Sequence, residues 1–232
     1  MKLESRSLDQ LLDEQLSRWQ TRRLATEKAM KEKEKQPKPI LAISIDPGSG
    51  GVEIAKRLAS LLGMDILGSE IIQRIVESAK MSKRAVETLD EKETKKLNAW
   101  LDSLFGESFS PDDYFRHLNA VIGTIGKHGN AILLGRGAQY ILPRETTFRL
   151  RIIAPLDIRI EKAMKTTGQS RKDAEEFVLK MENARRSFVR QYFKRDVTDP
   201  LGYDLVLNTE NLSIDAAVLI IQTAFKARFP EM

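Results

Sequence analysis

The chain has 232 residues, of which 41% are apolar and 31% charged. That is enough to bury one good core, and it excludes a fibrous or wholly disordered chain. A net charge of +5, from 38 basic and 33 acidic residues interleaved along the chain, favours small anionic ligands over a polyanion, and 6% aromatics offer few platforms for base stacking. There is no cysteine and there are only two histidines, so any chemistry rests on backbone amides, arginine, lysine and carboxylates.

Residues 1–35 read as a helix: Leu8, Leu12, Leu16 and Trp19 share one face amid dense charge. That stripe either packs on the body of the same protein or forms a helix–helix contact in a homodimer. Lys31 to Lys35 reads as a solvated turn, and Pro37 and Pro39 end the helix. With no long apolar run and no apolar leader, a cytoplasmic protein without membrane attachment is expected. Small phosphates fit the modest positive charge, with nucleic acid the less favoured partner.

From Ile40 the pattern changes. Ile40–Ile45 is a short β-branched run suited to a buried parallel strand, followed by Asp46-Pro47-Gly48-Ser49-Gly50-Gly51 and a helix over Val52–Leu62 that ends at Gly63. Further strands are expected at Met64–Leu67, Ala131–Leu134, Arg149–Ala154 and Asp204–Leu207, separated by helical stretches. Alternation of this kind predicts an α/β fold with a parallel five-stranded sheet covered on both faces. Residues 69–128 form a mostly helical insertion, broken around Phe105–Asp113, with Trp100, Leu104 and Phe105 expected in its core. The organisation is then an extension and linker over 1–38 and an α/β domain over 39–232.

The glycine loop carries the strongest chemical signal. Between a strand and a helix, closely spaced glycines let N–H groups converge on a phosphate at the positive end of the helix dipole, although a tight turn alone also uses glycine.

Four stretches resemble the cytidylate kinase-like branch of the P-loop nucleoside monophosphate kinases: Ile43–Leu58, Ala131–Leu142, Arg149–Met164 and Met181–Asp215. The resemblance implies a three-layer P-loop NTPase fold with an acceptor-side helical insertion over 69–128 and a lid over 180–196. It implies ATP-dependent phosphoryl transfer to a nucleoside monophosphate, CMP or dCMP first, with ATP and Mg²⁺ as cofactors. By that resemblance Gly48, Ser49, Gly50, Gly51, Val52 and Glu53 hold the donor nucleotide. Arg136 grips the acceptor monophosphate, Ser69, Arg74 and Arg159 contribute on the substrate side, and Arg185 with Arg186 closes over the transferring group.

The departures are specific. A full Walker A loop ends in Gly-Lys-Ser/Thr, whereas this chain has Gly51, Val52 and Glu53. The branch often shows Gly-Ser-Gly-Gly-Arg-Glu here, and Val52 removes that arginine too. Lys56 lies too far along the helix to substitute, and Leu134 stands where many monophosphate kinases place a carboxylate near the metal. No dedicated metal ligand is assigned, with Asp46 and Glu53 the only candidates. Two other readings therefore stand beside the kinase: a catalytically degenerate nucleotide-binding sensor or scaffold, and an interaction module working through the N-terminal helix.

Overall fold

The computed structural model describes residues 13–21, 38–77 and 113–230, with isolated positions between 10 and 99. Leu8, Leu12, Lys31–Lys35, Trp100, Leu104 and Phe105 lie outside the described residues. The chain divides into two compact units, one drawn from residues 1–38 and 68–129, the other from 39–67 and 130–232.

The second unit is an α/β sheet domain. Its strands are β1 (Ile40–Ile45), β2 (Asp65–Leu67), β3 (Ala131–Leu134), β4 (Thr147–Ile153) and β5 (Leu205–Asn208), in the order β2-β3-β1-β4-β5 with every pairing parallel. The sheet registers Ile43 against Leu134 and Ser44 against Arg151. Side chains alternate across a strand, and one face is uniformly apolar: Leu41 and Ile43, Ile132 and Leu134, Phe148, Leu150 and Ile152, with Leu207. Against that face lie helices α2 (Gly51–Leu62) and α8 (Ile214–Arg228), through Ile54, Leu58, Ile221 and Phe225 among others. The remaining helices of this unit are α5 (Ala138–Ile141), α6 (Leu156–Thr167) and α7 (Arg171–Phe193).

Local sequence explains the helix ends. α2 stops at Gly63 in a left-handed conformation, with the Gly63 amide donating to the Ala59 carbonyl. Ser170 and Ser213 cap α7 and α8, their hydroxyls accepting from the amides of Asp173 and Ala216.

The first unit is helical where it is described: α1 (residues 13–21), α3 (Ser69–Glu77) and α4 (Asp113–His128). Leu16 and Trp19, the described part of the N-terminal stripe, are each 1% exposed, and the Trp19 indole stacks on His128 with ring centroids 5.2 Å apart. This burial within one chain fits the intramolecular alternative for those two residues. No helix among the described residues is long and apolar enough to cross a membrane.

Candidate functional site

In the sheet unit, β1 connects towards one edge through β2, while β3 and β4 connect towards the other. Such a reversal opens a crevice outside the carboxyl ends of the strands, where ligands of open α/β sheets bind. The glycine loop leaves β1 at that point.

The loop is held tightly. Ser49 donates its amide to the Asp46 carbonyl at 3.1 Å, and the Thr209 hydroxyl donates to the Ser49 carbonyl at 2.8 Å. Gly48 has φ +82° and rests on α6 so closely that a Cβ there would lie 2.5 Å from the Arg159 carbonyl oxygen. Gly50, left-handed as well, caps α2 with its carbonyl, which accepts from Glu53 and Ile54. Among the described residues, no protein carbonyl accepts from the amides of Gly48, Gly50, Gly51 or Val52. Free donors at the start of a helix are suited to an anion. Val52 is half exposed at its rim, and Glu53 is tied to Arg57 at 3.1 Å.

Beside the loop, β3 ends in Gly135-Arg136-Gly137, three successive residues with positive φ. A Cβ at Gly137 would fall 2.1 Å from the Phe193 ring, so only glycine lets α7 close on this turn. The Arg136 guanidinium lies over Phe188 of α7 at 5.6 Å, a cation–π contact that directs it along the helix.

α7 supplies the wall. Glu182, Arg185, Phe188, Val189 and Phe193 share one helical face. Glu182 holds Arg159 at 2.9 Å and Arg186 at 2.6 Å. Arg185 donates from Nη1 to the Ile45 carbonyl, at the mouth of the loop. Although solvent reaches Arg185, protein around its guanidinium strips water from it, and this desolvation lowers its pKa; Asp46 opposes the shift, and Arg136 and Arg151 add to it. Arg136, Arg151 and Arg185 thus crowd one position, which favours an anion there.

β4 contributes what sequence reasoning missed. Arg151, 7% exposed in its side chain, pairs with Asp46 at 2.8 Å, donates to the Ser44 hydroxyl at 3.1 Å and lies over the Tyr203 ring at 5.8 Å. Tyr203 is anchored in turn by donating to the Val197 carbonyl at 2.8 Å. Burial raises the Asp46 pKa above the ordinary carboxylate value, against the pull of Arg151 and Arg159. The available signal was Arg149-Leu150-Arg151-Ile152, two arginines at strand spacing inside an apolar run.

The sheet unit therefore brings together Gly48, Ser49, Gly50, Gly51, Val52, Glu53, Arg136, Arg159, Arg185 and Arg186. Arg159 is 6% exposed beneath the loop, with Nε on the Ala154 carbonyl, while its Nη1 is buried without a partner. Ser69 and Arg74 belong to α3 of the helical unit. Ser69 is half-buried there, and the Arg74 side chain lies outside the described residues. Among the described residues no three carboxylate or histidine side chains gather as a metal cage.

The chain is similar to known proteins. The chain is 27% identical over 182 residues to a cytidylate kinase of Pyrobaculum aerophilum, covering 78% of this chain and 89% of that one. It is 25% identical over 199 residues to a cytidylate kinase of Natronomonas pharaonis, covering 83% and 92%. A crystal structure of an uncharacterized protein from Eubacterium ventriosum superposes with a TM-score of 0.64 at 20% identity, over 82% of this chain and 99% of that one, a likeness of fold. The model of the cytidylate kinase-like family matches residues 40–211. That match starts at the first residue of β1 and runs through all five strands, and the chain belongs to the cytidylate kinase-like family.

Proposed function

We propose that this protein transfers the γ-phosphoryl group of ATP to a nucleoside monophosphate, with CMP or dCMP as first acceptor. The observation that carries the reading is the convergence of Arg136, Arg151 and Arg185 on the mouth of a glycine loop whose Gly48, Gly50, Gly51 and Val52 amides, among the described residues, are given to no protein carbonyl. Phosphoryl transfer asks a protein mainly for positioning and for positive charge around the equatorial oxygens, and a site of amides and arginines meets both demands. The relatives named cytidylate kinase support the choice of acceptor.

In this reading the amides of Gly48, Gly50, Gly51 and Val52 hold the donor phosphates. Arg136 grips the acceptor monophosphate, and Arg185 with Arg186 faces the transferring group from α7. Ser69, Arg74 and Arg159 are assigned to the acceptor side by family resemblance. Mg²⁺ would arrive with the nucleotide and supply positive charge to its phosphates. Asp46 would hold it: Oδ1 accepts from Arg151, and Oδ2 has no bonding partner among the described residues. A single carboxylate with phosphate and water oxygens is an ordinary Mg²⁺ shell.

The test is an ADP-release assay with Mg-ATP and each nucleoside monophosphate, on the native chain and on Arg136→Ala. Losing a charge that acts on the transferring or accepting phosphate should lower kcat/KM roughly 10²- to 10³-fold, with the melting temperature unchanged. Nucleotide binding without ADP release for any acceptor would replace the kinase by a degenerate nucleotide-binding protein, the outcome that Val52 at the Walker lysine position favours.

A further inference from the structure

The loop lacks the cation that a Walker sequence provides, yet a cation stands over it. The space above Gly50, where a side chain would begin, is flanked by Ile214 and by the ammonium of Lys162: a Cβ built on Gly50 would lie 3.2 Å from Ile214 Cδ1 and 3.6 Å from Lys162 Nζ. Lys162 comes from the middle of α6, 112 positions after Gly50 in the chain and one turn beyond Arg159, which supports the underside of the same loop.

Two features make this placement informative. The carboxylates of the neighbouring helix starts are already taken, since Arg57 pairs with both Glu53 of α2 and Asp215 of α8. Among the described residues no carboxylate pairs with Lys162. In addition, an ammonium beside a helix N-terminus is electrostatically unfavourable, because the unsatisfied N–H groups there carry positive partial charge. Lys162 and the amides of Gly50, Gly51 and Val52 repel one another until an anion lies between them. Ser49, fully buried in the same loop, likewise keeps its Oγ without a partner.

We propose that Lys162 supplies, from α6, the donor-phosphate cation that Val52 withholds from the loop. The role rests on the kinase reading above. During transfer the bond between the γ-phosphorus and the oxygen of the departing ADP breaks, and a bond from that phosphorus to an acceptor phosphate oxygen forms. Lys162 neither gains nor loses a proton; it offsets the charge that builds on the departing ADP oxygens.

Calorimetric titration of the full chain with Mg-ATP, inorganic tripolyphosphate and CMP, for the native protein, Lys162→Met and Lys162→Arg, tests this. Lys162→Met should weaken Mg-ATP and tripolyphosphate roughly 10- to 100-fold and leave CMP affinity and melting temperature unchanged. Lys162→Arg should stay within about fivefold of the native protein. Native Mg-ATP affinity in Lys162→Met overturns the role of Lys162 and leaves the kinase reading standing. A parallel loss of CMP affinity or of melting temperature makes Lys162 a structural residue and overturns the role as well. Failure of the native chain to bind either Mg-ATP or tripolyphosphate overturns the donor site itself, and Lys162 with it.

Discussion

Gly48 and Gly63 have similar backbone angles, φ +82° and +63°, and quite different surroundings. At Gly63 a Cβ would meet nothing within 4 Å, whereas at Gly48 it would press on the Arg159 carbonyl oxygen and Cα at 2.5 and 2.9 Å. Gly63→Ala should therefore cost only the left-handed penalty, about 1 kcal/mol. Gly48→Ala should cost about 3 kcal/mol, since the added methyl group pushes on helix backbone that has little freedom to yield. Urea unfolding of the two variants measures the difference. The same push displaces the loop, so Gly48→Ala should also weaken Mg-ATP binding while Gly63→Ala leaves it alone. Equal stabilities would mean that the loop does not rest on α6. Both glycines could be picked out in the sequence from the strand–loop–helix pattern, but the penalty at Gly48 depends on Arg159, which a one-dimensional reading cannot bring near it.

At the scale of elements, β4 and β5 are joined by charge as well as by their ladder. The Arg149 guanidinium, 7% exposed, donates to both Asp204 oxygens, at 2.6 and 3.3 Å, and Asp204 also accepts from the Arg149 amide at 2.8 Å. Burial alone would raise the Asp204 pKa, but these bonds outweigh it and hold the carboxyl below its ordinary value of 3.8. A carboxyl with a depressed folded-state pKa adds stability above its unfolded pKa. That stability is lost as pH falls from about 3.8 through the lower folded value. Asp204→Asn should cost about 3 kcal/mol at neutral pH, the low end for a broken buried pair because Asp204 is 30% exposed. It should also flatten the acid limb of a stability–pH curve measured by urea unfolding between pH 2 and 6. An unchanged acid limb would assign acid sensitivity to other carboxylates. α7 makes a related point about legibility. A helical stretch between β4 and β5 was expected from the alternation, yet nothing local marks Glu182, Arg185, Phe188 and Phe193 as the face that meets the loops.

For the molecule as a whole, the N-terminal segment is bound up with the stability of the helical unit. Trp19 is almost fully buried and stacked on His128 at the end of α4. Trp19→Ala should cost about 3–5 kcal/mol through the cavity it leaves. Hydrogen exchange should place the loss of protection in α3 and α4, with the strands of the sheet unit keeping theirs. Uniform loss across both units would mean that the two unfold as one. A homodimer through residues 1–38 remains a separate proposal, and sedimentation of the full chain across concentrations decides it.

The sequence alone determined the alternation of strands and helices, because buried parallel strands need short β-branched runs and helices need apolar spacing and caps, all of which are local. It determined the place of the glycine loop for the same reason. Strand limits differed from expectation by one or two residues: β2 begins at Asp65, β4 covers Thr147–Ile153 and β5 covers Leu205–Asn208. Tertiary structure decided which charges meet. Arg151 reaches Asp46 across 105 positions and Arg185 reaches Ile45 across 140. Lys162 comes over Gly50 only because α6 packs against the loop. Such neighbours depend on strand order and helix rotation, which are fixed when apolar faces are buried together and leave no mark on the residues that are carried along.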